Sequence, residues 1–535
     1  MSVETRDPLE SPCSGQSGAA SSAATSPAAT SSPVAPGPIS SVGGRHAVPA
    51  SWVQVCTRAL PVERARPARI RDWRHGWWLA VGTVCFGAFM GQLDASIATL
   101  TYPALRTEFH ATLAEVEWVS LAYLLTLVAL LVPVGRVSDT RGRKLMYLYG
   151  FILFTGASAA CGLAPSLGVL VAFRIVQALG AALLQANSVA LVTTSAPREK
   201  MRVALGVQAG AQALGLALGP TLGGAIVDAF GWRWVFLVNL PVGVIALVSG
   251  HYLLPRTRTH APATRFDRLG LGLLATATTA LLLGISALSG LNLPGPTAEL
   301  LLLLAAAAGF GLFRHLGRAE SPLIDPALLR TRQIAVGLVG ALGGYLLLFG
   351  PLVLVPVVLT ASGTGLTTAG LVLTALPAGF AAAALAANHV LPEDWSDRRR
   401  ALTGSGLAAA ALAGMAFAPP TIPWLIPLLA LLGLGLGTFT PANNTLVMAA
   451  IPARAAGTGG GLVNMTRGLG TALGVALVTL TLHLVHGHGA DPGLVPAAHA
   501  SAALLTVIGL GVLASNLLHP RDVPHDVRSG LSPLD

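Results

Sequence analysis

Three consecutive stretches decide the fold: VEWVSLAYLLTLVALLVPV (116–134), GRVSDTRGRK (135–144) and LMYLYGFILFTGASAACGLA (145–164). The first and third stay largely apolar for about 20 residues, the length that a helix rising about 1.5 Å per residue needs to cross a bilayer's hydrocarbon. The middle stretch gathers Arg136, Arg141, Arg143 and Lys144 around Asp139. An apolar run, a short basic connection and a second apolar run read as two antiparallel membrane-crossing helices. The same pattern recurs in both directions along the chain. Apolar runs lie near 76–103, 116–134, 145–164, 167–193, 203–228, 232–254, 269–290, 298–316, 334–360, 367–386, 401–418, 423–447, 457–484 and 496–518, which predicts fourteen spans.

Composition agrees with lipid as the main solvent. Of 535 residues, 53% are hydrophobic and 10% charged, against about 25% charged in an average soluble protein. That balance argues against a water-soluble enzyme. The chain holds 61 Gly and 36 Pro, two residues commoner in membrane helices than in soluble ones. Cys13, Cys56, Cys85 and Cys161 have no paired spacing, so neither a disulfide framework nor a zinc site is indicated.

The formal charge of +10 would suggest nucleic acid if the cations formed one patch. They do not. With the N-terminus placed inside, the inner loops hold 19 Arg and Lys, from Arg136 to Arg454, and the outer loops only Arg106 and Arg233. That asymmetry is the positive-inside signature, and it sets the charge beside anionic headgroups rather than a nucleic acid. Both termini are expected in the cytoplasm and the protein in the cell membrane. Residues 1–72, rich in Ser, Ala, Pro and Gly, bury too little to offset chain entropy and read as a disordered tail. It ends in a basic cluster (Arg58, Arg64, Arg66, Arg69, Arg71, Arg74) taken as a cytoplasmic anchor.

The loop DWSDRRR (394–400) is a degenerate echo of GRVSDTRGRK, relating spans 1–6 to spans 9–14. The expected organisation is a six-helix bundle over 73–254, two inserted helices with linkers over 255–333, a second bundle over 334–518 and a tail over 519–535. Parallel halves of this kind place a substrate site near the membrane midplane.

At this point the residues resemble a family. GRVSDTRGRK is similar to the signature loop of the major facilitator superfamily, with Gly135, Asp139, Gly142, Arg143 and Lys144 matching and Thr140 where Arg is usual. An Asp at a helix end accepts from unpaired N–H groups or an Arg, and the resemblance implies a conformational latch. In the fifth span GLALGPTLGG (215–224) resembles the superfamily's antiporter signature: Gly215, Gly219 and Gly223 form a smooth strip, followed by Gly224, with Pro220 able to bend the helix. The resemblance implies an exporter. LDASIATLTYPAL (93–105) is similar to a segment of the fourteen-span drug:proton antiporters of the EmrB/QacA type.

Two charges then stand out. Asp94 is the one carboxylate well inside a span, and Arg174, in the LVAFRIVQALGAA stretch (170–182) that resembles the family's Arg-x-x-Gln-Gly pattern, lies in an apolar run. An unpaired charge there costs at least about 2.5–3.5 kcal/mol. The resemblance implies proton coupling. On physical grounds Arg174 either snorkels to the interface or faces a partner, and the two charges form either a static ion pair or a switchable one. Gln177 follows on the same face, and GTGGGLVNMTRGLGTALG (457–474) adds Asn464 and Arg467 as polar candidates for a cavity. His483, His486 and His488 fit a wet loop as well as a metal site, and no metal or other cofactor is expected. Lys144 and Lys200 precede Leu145 and Met201, so no Walker-type ATP site exists, and no HExxH or GxSxG motif marks a catalytic centre.

The reading is therefore an all-α polytopic membrane protein of the major facilitator fold, not an enzyme, exchanging protons for drug-like or antibiotic-like small molecules as a monomer. The alternatives are a narrow exporter of an endogenous lipid, siderophore or secondary metabolite, and a non-transporting receptor or scaffold.

Overall fold

Thr112 shows how an apolar run becomes a helix. Its hydroxyl accepts from the Glu115 N–H while the Glu115 carboxylate accepts from the Thr112 N–H at 2.8 Å, a capping box that satisfies two orphan donors reciprocally. The helix that starts there, Leu113–Arg141, does not stop at residue 134 as expected. It continues past Pro133 and ends at Gly142, whose φ of 110° is open to glycine. The expected basic loop is thus mostly helix: Gly135–Arg141 forms its last two turns, and Gly142 alone separates it from the next helix. These turns stay helical because one side is buried against another helix, described below.

The computed structural model describes residues 66–67, 73, 75–257, 266–288, 296–392, 394–486 and 494–518. The expected tails (1–65, 68–72 and 519–535), the cluster residues other than Arg66, Cys13, Cys56 and His488 lie outside the described residues, as do the side chains of His483 and His486. The main helices are α1 (Gly76–Ile97), α2 (Leu113–Arg141), α3 (Arg143–Gly162), α4 (Leu167–Ser195), α5 (Met201–Phe230), α6 (Asn239–Leu253), α7 (Arg268–Leu288), α8 (Thr297–Leu316), α9 (Arg332–Ala361), α10 (Ala375–Val390), α11 (Asp397–Phe417), α12 (Ile422–Ala450), α13 (Ala456–His486) and α14 (Leu494–Leu517). The expected first span is shorter than predicted: a 3-10 turn, Ala98–Thr101, and a short helix, Tyr102–Phe109, follow α1. Short helices Arg233–Leu237 and Leu366–Leu373 lead into α6 and α10. Among the described residues no strand occurs.

Thirteen of the described helices are long and apolar enough to cross a membrane, one fewer than the fourteen expected. The exception is α11, where the expected eleventh span lies. It opens with Asp397, Arg398, Arg399 and Arg400 and is otherwise dominated by Ala and Gly, so charge and small side chains dilute its apolarity. Bulky apolar residues are exposed along several of the helices, Leu303, Phe313, Phe417, Val507 and Leu510 among them. Such an exterior suits hydrocarbon rather than water, and the protein is a multi-pass membrane protein.

The packing repeats itself. In the first set α1 packs on α4, α5 and α6, α4 on α2 and α3, and α3 on α6. Adding eight to each number gives the second set: α9 packs on α12, α13 and α14, α12 on α10 and α11, and α11 on α14. The two sets meet through α2 against α13 and α5 against α10, with α4 against α13 and α12 against α5 beside them. The α7–α8 pair lies against α2 and α13 through α7. Asp267 anchors it, accepting from the Gly270 N–H (2.7 Å), the Leu323 N–H (3.0 Å) and the His315 ring (2.7 Å). Partial burial pushes its pKa up, but these contacts outweigh burial and hold it below the usual carboxylate value.

Candidate functional site

Asp94 sits three residues before the end of α1, 1% exposed, and Arg174 on α4 is fully buried, so Arg174 does not reach the interface. The two are ion-paired, Arg174 Nη1 donating to Asp94 Oδ2 at 2.6 Å. Asp94 Oδ1 accepts from Gln177 Nε2 (3.0 Å) and Asn239 Nδ2 (3.1 Å). Asn239 also donates to Ser158, which donates to the Phe236 carbonyl. Arg174 spends its other bonds on the Val119 carbonyl (3.0 Å) and Gln177 Oε1 (2.8 Å), with its guanidinium 4.1 Å from the centre of the Tyr123 ring. Three helices, α1, α4 and α6, thus meet at one carboxylate, and α2 and α3 join its network through Val119 and Ser158. A buried pair tolerates its desolvation only when its remaining lone pairs and protons are so satisfied.

Beside this network lies a cavity of about 200 Å³ between the two helix sets. Its lining includes Gln92, Tyr123 and Arg174 from the first set and Tyr345, Phe349, Asn464 and Arg467 from the second. The Tyr345 and Phe349 rings are stacked 6.2 Å apart, and the Arg467 guanidinium lies 5.1 Å from the centre of the Tyr345 ring. Asn464 and Arg467, one turn apart on α13, are joined by an Arg467 Nη1 to Asn464 Oδ1 bond of 3.0 Å. Gln177 is not a lining residue but belongs to the Asp94 network.

A second buried carboxylate ties the two sets together. Asp139 Oδ1 accepts from the Gly457 N–H (2.7 Å) and Oδ2 from the Thr458 N–H and hydroxyl (2.7 Å each). These groups open α13, so the acid caps the positive end of a helix in the other set. Arg143 donates to Asp139 Oδ1 from Nε and Nη2 and reaches the Ala453 carbonyl at 2.5 Å. At Gly135 a Cβ would strike the Gly457 carbonyl, so backbones touch here. Lys144 stands apart from this contact: its ammonium caps the end of α6 through the His251 and Leu254 carbonyls.

The glycine strip of α5 lies against α1. A Cβ at Gly215, Gly219 or Gly223 would meet Phe89, Ser96 or Ile97, whereas Gly224 faces open space and is no part of the contact. Pro220 falls within α5, and its side chain lies outside the described residues. Among the described residues no cluster of three His, Cys, Asp or Glu that could hold a metal occurs.

Sequence reasoning missed Asn239, Ser158, Gly457, Thr458, Tyr345 and Phe349. Asn239 carried a usable signal, a lone amide in the apolar VFLVNLPVG, since a buried amide must find partners. The others carried none, because Ser, Gly, Thr and aromatic residues are ordinary in membrane helices.

Two six-helix sets of matching packing, a cavity between them and buried charges at their contact define a membrane transporter. The family description Major Facilitator Superfamily matches residues 84–475, and the chain belongs to that superfamily. It is 31% identical over 75% of its length to the riboflavin transporter RibZ of Clostridioides difficile, covering 87% of that protein. It is 30% identical to the tetracenomycin C resistance and export protein of Streptomyces glaucescens, with 75% of each chain covered. The crystal structure of the human organic anion transporter MFSD10 superposes with a TM-score of 0.59 at 17% identity, covering 82% of this chain and 99% of that one, a likeness of fold. The superfamily transports rather than catalyses, and the chain is not an enzyme.

Proposed function

We propose that this transporter is a proton-coupled exporter of drug-like small molecules, working as a monomer with both termini in the cytoplasm and fourteen spans, of which α11 is the eleventh. The observation that carries the reading is Asp94: a carboxylate out of water, bonded to Arg174, Gln177 and Asn239, one of whose partners also lines the cavity. Protonation of Asp94 removes the charge that holds Arg174 and loosens the junction of α1, α4 and α6, so a proton and the shape of the cavity are linked. The relative named as a tetracenomycin C resistance and export protein supports the direction, and a probable actinorhodin transporter of Streptomyces coelicolor supports the cargo class. The α5 glycine strip, which lets α1 slide closely past, is consistent with a rocking motion.

The energetics suffice. One charge moved through 100 mV yields about 2.3 kcal/mol, and at about 1.4 kcal/mol per tenfold that sustains roughly a fiftyfold gradient of a neutral solute. In everted vesicles, Asp94→Asn is expected to abolish transport driven by an imposed pH gradient while the protein still reaches the membrane in normal amount. Unchanged transport by that variant removes Asp94 from the mechanism, and pH-driven movement of cargo out of the everted vesicles, instead of into them, overturns export.

A further inference from the structure

The cavity carries a cation whose charge no acid among the described residues neutralises by contact. Arg467 is 4% exposed and projects from α13 into the space between the sets. Its Nη1 donates to Asn464, its guanidinium leans on the Tyr345 ring, and its Nε has no hydrogen-bond partner. Arg174, the other cation in the lining, is neutralised by Asp94, whose oxygens are already taken up by Arg174, Gln177 and Asn239. Among the described residues no Asp or Glu lines the cavity and none pairs with Arg467. A buried guanidinium with an unused donor is costly unless something anionic meets it. The stacked Tyr345 and Phe349 rings beside it supply a flat apolar wall.

We propose that Arg467 is the anion-recognition residue of this cavity, and that the cargo class is a planar aromatic compound bearing a carboxylate or ionised phenol, its rings against Tyr345 and Phe349 and its anionic oxygen on the Arg467 guanidinium. The proposal rests on the reading of this cavity as the transport site and narrows it. Exchange of one monoanion outward for one proton inward moves two charges in the same electrical sense, so an inside-negative potential drives such a cargo harder than a neutral one.

The test is binding to the purified full-length protein in nanodiscs, using three tricyclic probes of matched size: anthracene-9-carboxylate, anthracene-9-methanol and 9-(aminomethyl)anthracene. The carboxylate is expected to bind about tenfold or more tightly than the alcohol, the span of one charge-assisted hydrogen bond, and the ammonium probe least. Arg467→Gln should erase most of the carboxylate-to-alcohol ratio, the carboxylate's Kd rising about fivefold or more beyond any rise in the alcohol's, and Arg467→Lys should restore part of that ratio. Equal weakening of carboxylate and alcohol in Arg467→Gln would mean a merely structural role and overturn the proposal. So would a wild-type preference for the ammonium or the absence of any preference, a ranking that decides the matter even if the variants do not fold. Retention of the carboxylate preference in a protein that shows no pH-driven transport supports this inference and defeats the proton-coupled reading, so the two fail separately.

Discussion

The helix sets meet at two crossings that correspond under the eightfold shift in helix number, α2 on α13 and α10 on α5, yet they are built differently. At the first, Asp139 is fully buried, caps the start of α13 and holds Arg143, and Cβ atoms placed on Gly135 or Gly461 would strike main-chain carbonyls. Beside the second, the nearest echo of Asp139 is Asp397 in DWSDRRR, the first residue of α11 rather than a residue of α10, which pairs with Arg202 at the start of α5 at 2.5 Å, the two side chains 19% and 28% exposed. There the nearest atoms to a Cβ on Gly210 belong to the side chain of Leu385. One crossing is a buried charge on a helix end with backbone against backbone. The other packs side chains that can move, with a half-wet ion pair from α11 beside it. The lesson is that a duplicated plan need not give duplicated strength, and that the α2–α13 crossing is the one whose release costs most.

Three measurements would break or sharpen this contrast. The largest effect is expected from Asp139→Asn, which deprives Arg143 and the first N–H groups of α13 of their anion; loss of one partner of a buried pair costs about 3–5 kcal/mol. Melting temperature should fall, and spin labels on the exposed Arg141→Cys and Arg454→Cys positions, placed in a cysteine-free background, should move apart. An Asp139→Asn protein matching its parent in both would end the contrast. Next comes Gly457→Ala, whose new Cβ meets Asp139 Oδ1 and the Gly135 carbonyl at 2.8 Å each. Overpacking of that kind costs about 1–3 kcal/mol. Gly210→Ala, facing the exposed Leu385 side chain, should stay near neutral, helped by alanine's better helix propensity of about 1 kcal/mol. If the two alanines destabilise equally in denaturant or heat, backbone contact is not what distinguishes the crossings. Smallest is Asp397→Asn, since partly exposed pairs contribute about 0–1 kcal/mol; a loss of stability as large as that of Asp139→Asn would make the crossings equivalents after all.

Much of this molecule was legible in the sequence. Span positions follow from the length of apolar runs, and Asp94, Arg174 and Arg467 stood out because a charge in hydrocarbon needs a reason. The pair Asp94–Arg174 could be suspected, although its members lie 80 residues apart. Three readings needed the fold. GRVSDTRGRK reads as a loop by its charge and becomes helix because α13 covers it. Gly457 and Thr458 become ligands of Asp139 only because the chain brings α13 back, 318 and 319 residues later. Gly224 looks like part of the strip yet faces open space, since helical phase and neighbour decide which glycine matters.

By itself the sequence determined what must leave water and where charge is too expensive to stand alone, because transfer from water to lipid depends on residue type and run length. Tertiary structure alone decided which donors meet which carboxylate, which crossing is dry, and that Arg467 keeps an unused donor over an aromatic wall. Those outcomes turn on distances of a few ångströms between segments that the chain order leaves far apart.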